Sequence, residues 1–309
     1  MKENKEKYTY HVPVMLQECL DGLDIQPDGI YVDLTFGGGG HSREIFKKLS
    51  DKGMLIVFDQ DDDARKNAWE APNFKFIASN FSFLKNQLRM LGITQVDGIL
   101  ADLGVSSHQF NEPERGFSIR ADEELDMRMN QKSGLSALQV VNDYPEEEII
   151  RMLNEYGEVK GAHRIAQAIC VKREAEKIKT TGQLMETIVS FAPKFKENKF
   201  FAQVFQAIRI EVNDEMNTLK KMIEQTTEVL KPKGRLVVMS YHSLEDRLVK
   251  NYMKRGSFDG KIEKDFFGNV LKPFTEITRK PVVADEKELE LNPRARSAKL
   301  RIAERNEGK

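Results

Sequence analysis

Runs of apolar residues bounded by turn formers recur at 30–34, 54–58, 74–77 and 98–101, with one more at 235–240. They read as buried strands. Segments with helical spacing lie at 42–49, between the first two, and at 62–70, after the second. Strand and helix in alternation predict parallel βαβ units with right-handed crossovers, and hence an α/β fold. From 111 to 199 helical periodicity takes over, at 146–156, 162–177 and 183–191, and no convincing strand occurs. The turn from Lys231 to Gly234 then introduces the run at 235–240, which resumes the first pattern. The expected organisation is a discontinuous α/β core, 1–110 and 200–309, carrying a helical insertion at 111–199 for substrate recognition. The charged ends, 2–7 and 305–309, are expected to fray.

The first strand leads directly into Asp33-Leu-Thr-Phe-Gly37-Gly-Gly39-Gly40-His41-Ser42, a turn short of side chains that lets backbone approach a ligand closely. The second strand ends in Asp59, about 20 residues on, where an acid would bond ribose hydroxyls. Together these features predict a nucleoside-binding half-site. The dinucleotide pattern fails, because Ser42 or Arg43 falls where its third glycine belongs, and no Gly-Lys-Ser/Thr follows to make a phosphate cradle. Asp33 would repel a pyrophosphate but suits the ammonium and sulfonium of S-adenosylmethionine, which points to methyl transfer. The competing reading of Asp33 is a carboxylate that caps the turn's own N–H groups. The fourth strand ends in Asp102, which places another carboxylate at the sheet edge where open α/β folds bind ligands.

Composition adds exclusions. The 309 residues carry a formal charge of -1, so any contact with nucleic acid must come from segregated basic surface. The two cysteines, Cys19 and Cys170, lie far apart, which argues against a disulfide framework and a zinc site and fits a reducing cytoplasm. His11, His41, His108, His163 and His242 show no metal-binding spacing, so no catalytic metal is expected. The first ten residues lack a signal-peptide stretch, and no apolar run is long enough for a bilayer, so a soluble, cytoplasmic protein is expected.

Seven motifs in order give the chain a specific resemblance. They are Thr35-Phe-Gly-Gly-Gly-Gly-His41-Ser42, Asp102-Leu-Gly-Val-Ser-Ser107, Arg115-Gly-Phe-Ser118, Leu125-Asp-Met-Arg-Met129, Phe205-Gln-Ala-Ile-Arg209, Ser240-Tyr-His-Ser-Leu-Glu-Asp-Arg247 and Asn292-Pro-Arg-Ala-Arg296-Ser. With them the sequence resembles the ribosomal RNA small-subunit methyltransferase H family, also called MraW. The resemblance implies a Rossmann-like class I methyltransferase sheet with an inserted helical domain. It also implies S-adenosylmethionine as methyl donor and the N4 amine of a cytidine in the decoding region of 16S ribosomal RNA as acceptor. By matching motif positions, the methionine moiety would lie against Gly39, Gly40 and His41, the ribose on Asp59 and the adenine near Phe81, with Asp102 and Gln109 completing the pocket. The partner would be 16S RNA within the small subunit, and the enzyme a monomer or homodimer.

A cytosine amine is a poor nucleophile, because its lone pair is delocalised into the ring. An acceptor for one amine N–H would localise that pair, and Asp102 is the first candidate by position. The Asp/Asn-Pro-Pro-aromatic segment of many amino-methyltransferases is replaced here by Asp102-Leu-Gly-Val105, so a flat group to hold the base must come from elsewhere. Tyr241 and His242, just past the strand ending at Ser240, are the candidates, although the Ser243 to Asp246 spacing also suits a helix cap. Phosphates would be tracked by Lys172, Arg173, Lys177 and Lys179 of the insertion, where Glu174 and Glu176 interleave. The better group for that task is Arg294, Arg296, Lys299, Arg301 and Arg305, opposed only by Glu304. Met127 and Met129 read equally well as packing residues. Two rival functions stay open at this level: methylation of DNA or protein amines, and a cofactor-binding RNA or ribosome-assembly module.

Overall fold

The computed structural model describes residues 13–106, 109, 112–132 and 134–307. His11, Ser107, His108 and the extreme ends 1–12 and 308–309 lie outside the described residues. Two compact units result, Met1–Gly104 with Leu219–Lys309, and Val105–Thr218.

The first unit is built on seven strands: β1 (Ile30–Asp33), β2 (Met54–Asp59), β3 (Phe74–Ala78), β4 (Val96–Asp102), β5 (Leu230–Ser240), β6 (Phe274–Glu276) and β7 (Lys299–Arg305). Their order across the sheet is β3-β2-β1-β4-β5-β7-β6. The pairs from β3 to β5 are parallel, and β7 runs antiparallel to both β5 and β6. The parallel part is the α/β sheet that the alternation predicts, and the antiparallel β7 and β6 at one edge make the sheet mixed. Successive residues of a strand point to opposite faces, and here both faces are covered. Val32, Ile56, Phe58, Ile99 and Val238 pack into one core with helix α3 (Leu84–Met90). Tyr31, Leu55, Val57, Leu100 and Val237 pack into another with helix α1 (Leu16–Leu23) and Ile45 of α2 (Gly40–Lys47). Full burial of one such side chain, Phe58 for example, stabilises the fold by about 1.5–3 kcal/mol.

Three local expectations are corrected. Residues 62–70 form only a short 3-10 turn, Ala64–Asn67; Asp61 turns its carboxylate back onto the Asp63 N–H, a local bond that competes with a continuing helix. The turn from Lys231 to Gly234 lies inside β5 as an irregularity, where the pairing jumps from Val96 opposite Leu230 to Gly98 opposite Arg235. Arg305 is the last residue of β7 and does not fray, since its guanidinium donates to the carbonyls of Thr227 and Pro273. The strand β7 also changes the reading of the basic carboxyl-terminal group. Arg301 is buried and bonds the Asp246 carboxylate at 2.7 Å, with Lys299 Nζ 3.4 Å from the same side chain. Those two cations are structural, whereas Arg294 and Arg296 are exposed.

The second unit is helical. Its elements are α4 (Ala137–Asp143), α5 (Glu146–Glu155), α6 (Ala162–Ala175), α7 (Thr181–Ile188) and α8 (Glu197–Val212), followed by the start of α9 (Glu215–Val229). Ser136 and Thr180 open α4 and α7 with capping boxes, each bonding the N–H of a glutamine three residues on, which in turn reaches back. The unit runs to Thr218, beyond the expected end at 199, because α8 inserts Phe200, Phe201, Val204, Phe205 and Ile208 into its core. Met127 and Met129 belong to that core as well. Arg173 donates to the carbonyls of Val141 and Tyr144 around the end of α4, and Lys172 pairs with Glu176.

Candidate cofactor crevice at the carboxyl edge of the sheet

The strand order reverses at β1, which has β2 on one side and β4 on the other. At such a switch point the following connections leave in opposite directions and open a crevice at the carboxyl ends of the strands. The register places the acids there. Asp33 pairs with Val57 and with Leu100, so Asp59 and Asp102 each stand two residues further along, roughly 7 Å beyond it.

Between β1 and α2 the glycine turn is shaped by contacts on its underside. Gly39 has φ +75°, and a Cβ there would come 2.9 Å from the Phe36 ring; a Cβ on Gly40 would meet Pro13 at 2.4 Å. Asp33 is 1% exposed, accepts from the Thr35 N–H at 3.0 Å and takes the Ser42 hydroxyl at 2.6 Å. Its bonds are those of the capping reading, and any action on a ligand is through its field. Burial raises its pKa. Asp59 accepts from the N–H groups of Gly37 at 2.8 Å and Asp61 at 2.9 Å, one on each oxygen, which leaves each oxygen a second lone pair. Burial pushes Asp59 up to about 6 against those two bonds.

Phe81 opens the short turn Phe81–Phe83 after β3 and is partly buried. The preceding Asn80 caps that turn by accepting from the Ser82 N–H and donates to Gln60 at 2.8 Å, which ties the loop after β3 to the residue following Asp59. Gln109 belongs to the second unit, where its amide oxygen accepts from the Ser106 N–H.

Asp102 is fixed from several sides. Its N–H donates to the Thr35 hydroxyl at 2.7 Å, and its Oδ1 accepts the Tyr241 hydroxyl at 2.8 Å. His41 Nδ1 stands 3.9 Å from Oδ2. Burial pushes Asp102 up to about 6, opposed by His41 and the Tyr241 hydroxyl. Tyr241 itself is raised by burial and by the adjacent Asp102 charge. His242 is the N-cap of helix α10 (Ser243–Arg255), in a capping box with Glu245. The cap thus sits one residue before the Ser243 spacing suggested. The ring Nε2 of His242 lies 3.2 Å from Glu245 Oε1 without hydrogen-bond alignment. Glu245 is 2% exposed and accepts from the Tyr241 N–H at 2.9 Å. Sequence reasoning missed Glu245, Thr35 and Val14, whose carbonyl meets His41 Nε2 at 3.0 Å. The His-x-x-Glu spacing was the one available signal, for Glu245.

A sheet whose strand order reverses at β1, with a glycine turn and the acids Asp33, Asp59 and Asp102 at the carboxyl ends of its parallel strands, defines an α/β protein of the doubly wound kind. Residues 8–306 match the model of the MraW methylase family. The ribosomal RNA small subunit methyltransferase H of Parabacteroides distasonis is 57% identical over 297 residues, 96% of this chain and 97% of its own. The protein of that name from Bacteroides thetaiotaomicron is 55% identical, over 97% of this chain and 99% of its own. Among solved structures, an rRNA methylase from Streptococcus thermophilus aligns at 11% identity and TM-score 0.39, over 94% of each chain. The chain belongs to the MraW methylase family and is a methyltransferase.

Proposed function

We propose that the protein transfers a methyl group from S-adenosylmethionine to the N4 amine of a cytidine in the decoding region of 16S ribosomal RNA. The observation that carries this reading is Asp102, a carboxylate held at the switch point beside the glycine turn by Thr35 and Tyr241. The names of the relatives support the choice of small-subunit RNA.

The residues present suit the donor. Asp59 keeps acceptor lone pairs for ribose hydroxyls, Gly39 and Gly40 offer backbone without side chains, and Phe81 supplies a ring for the adenine. Gln109 is a further residue that the family resemblance assigns to the cofactor. The negative charge of Asp33 and Asp102 suits a ligand bearing two cationic groups. When bound, S-adenosylmethionine supplies a methyl group already activated on a sulfonium. The protein then has chiefly to align the reacting atoms, which contributes on the order of 7–11 kcal/mol. Asp102 accepts one amine N–H and so localises the nitrogen lone pair toward the methyl carbon. Of the two flanking side chains, Tyr241 is the better candidate to hold the extruded base, because the His242 ring caps α10. Helices of the second unit would recognise the RNA, with Arg294 and Arg296 tracking phosphates. The setting is the cytoplasm. Among the described residues no helix is long and apolar enough to cross a membrane.

The test is incubation of the enzyme and methyl-labelled cofactor with small subunits from cells lacking the gene, followed by nucleoside analysis. Label in N4-methylcytidine is expected. Label on adenosine, or on protein alone, refutes the proposal.

A further inference from the structure

His41 offers chemistry that a cofactor-lining role does not use. Its ring is nearly buried, and Nε2 lies 3.0 Å from the Val14 carbonyl oxygen. A carbonyl can only accept, so Nε2 carries the hydrogen and donates. In the neutral ring Nδ1 is then a bare lone pair, and it faces Asp102 Oδ2 at 3.9 Å. The other oxygen, Oδ1, is already held by the Tyr241 hydroxyl. The carboxylate therefore has one oxygen fixed and one directed at an empty proton acceptor.

Charge accounting says why an acceptor is needed. Methyl transfer turns a sulfonium into a neutral thioether, which removes a cation from beside the buried carboxylate Asp33 and the partly buried Asp102. Besides His41, the groups that act most strongly on Asp102 are the Tyr241 hydroxyl after β5, Asp33 on β1 and Glu245 on α10, and Cys19 on α1 feels its charge. None of them brings a positive charge, so a proton retained on imidazole restores the balance.

We propose that His41 is the final proton acceptor of the methyl transfer, receiving through Asp102 the proton that the amine releases. The nitrogen lone pair forms the N–C bond as the C–S bond breaks, with the S–C electron pair staying on sulfur. An N–H bond of the methylated nitrogen then breaks, its electrons remaining on nitrogen, and the proton passes to Oδ2 and on to Nδ1. One positive charge enters on sulfur and one remains on the imidazolium. The 3.9 Å separation must shorten by about 1 Å for that last step, a tightening expected when a substrate complex forms. The raised proton affinity of Asp102 suits a carboxylate that carries the proton in transit. This inference rests on the reading of Asp102 as acceptor for the amine.

The test uses the full chain, with small subunits as substrate, in single-turnover reactions between pH 5.5 and 9. His41→Gln keeps an amide N–H for the Val14 carbonyl and removes the nitrogen that faces Asp102. Cofactor affinity is measured alongside by calorimetry so that the rate is read at saturation; the methyl-transfer rate is expected to be at least tenfold lower and still climbing up to pH 9, because water must now take the proton. A rate within twofold of wild type, or a reduced rate with the wild-type pH profile, overturns the relay. Should His41→Gln fail to fold, Tyr241→Phe serves instead. Loss of its hydrogen bond raises the proton affinity of Asp102, so the acid limb of the profile should move to higher pH; an unmoved limb overturns the arrangement. Asp102→Asn separates the two readings. If it remains active, the assignment of Asp102 fails and the relay with it; if it is inactive while His41→Gln behaves as wild type, only the relay fails.

Discussion

Replacing Asp102 by asparagine should make the unliganded protein more stable at the same time as it removes activity. In the folded chain the carboxyl is raised from its ordinary 3.8 to about 6, chiefly by burial. A group whose folded pKa lies above its unfolded value binds its proton more tightly when folded. It contributes nothing adverse below the unfolded value, and its cost grows as pH rises and is complete above the folded value. At about 1.4 kcal/mol per tenfold change in proton affinity, the full burden at pH 8 is about 3 kcal/mol. The side chain keeps 24% of its surface exposed, so solvent screening lowers the realistic figure to about 1–2 kcal/mol. Asparagine retains an oxygen for the Tyr241 hydroxyl and carries no charge. Thermal unfolding of the unliganded proteins at pH 8 should therefore show the variant melting a few degrees higher. The gap should close as pH falls through 6 toward 4, where the wild-type carboxyl is protonated in the folded state. A variant less stable than wild type at pH 8, or a gain that persists unchanged near pH 4, refutes the reasoning. Methyl transfer by the same variant should fall about 10²–10⁴-fold, the range for loss of a general base.

Three further outcomes are expected. Asp59→Ala removes the acceptor for the Gly37 N–H and the one proposed for ribose, so calorimetry should show cofactor affinity reduced at least tenfold with RNA affinity within about twofold; equal loss of both would show the sugar misplaced. Gly39→Ala forces a side chain into a left-handed conformation and against Phe36, at a cost of about 1–3 kcal/mol, and an unchanged melting temperature would contradict that geometry. Asp246→Ala strands the buried Arg301 guanidinium, which should cost about 3 kcal/mol in urea unfolding. The double change with Arg301→Met should recover much of that loss, and no recovery would argue against a buried pair.

Strands β1, β2 and β4 were legible because a strand covered on both faces needs apolar residues at consecutive positions, a signal carried by neighbours in the chain. The glycine turn and the acid ending β2 were legible for a similar reason, since spacing along a βαβ unit sets their positions. β7 was not. Its basic residues read as free surface because Asp246, which neutralises Arg301 and Lys299, lies more than fifty residues earlier. The links around Asp102 were equally hidden: Thr35 is 67 residues away and Tyr241 is 139. The bond from His41 to Val14, across 27 residues, is of the same kind.

The sequence by itself thus determined which segments become buried strands, where the chain turns with glycine and which acids end the strands, because periodicity and spacing are local properties. Only the tertiary structure decided which oxygen of Asp102 is held by Tyr241, which nitrogen of His41 meets the Val14 carbonyl and which cations are already spent. Those facts depend on the strand register and on the order of strands across the sheet, which bring together side chains that no short stretch of sequence contains.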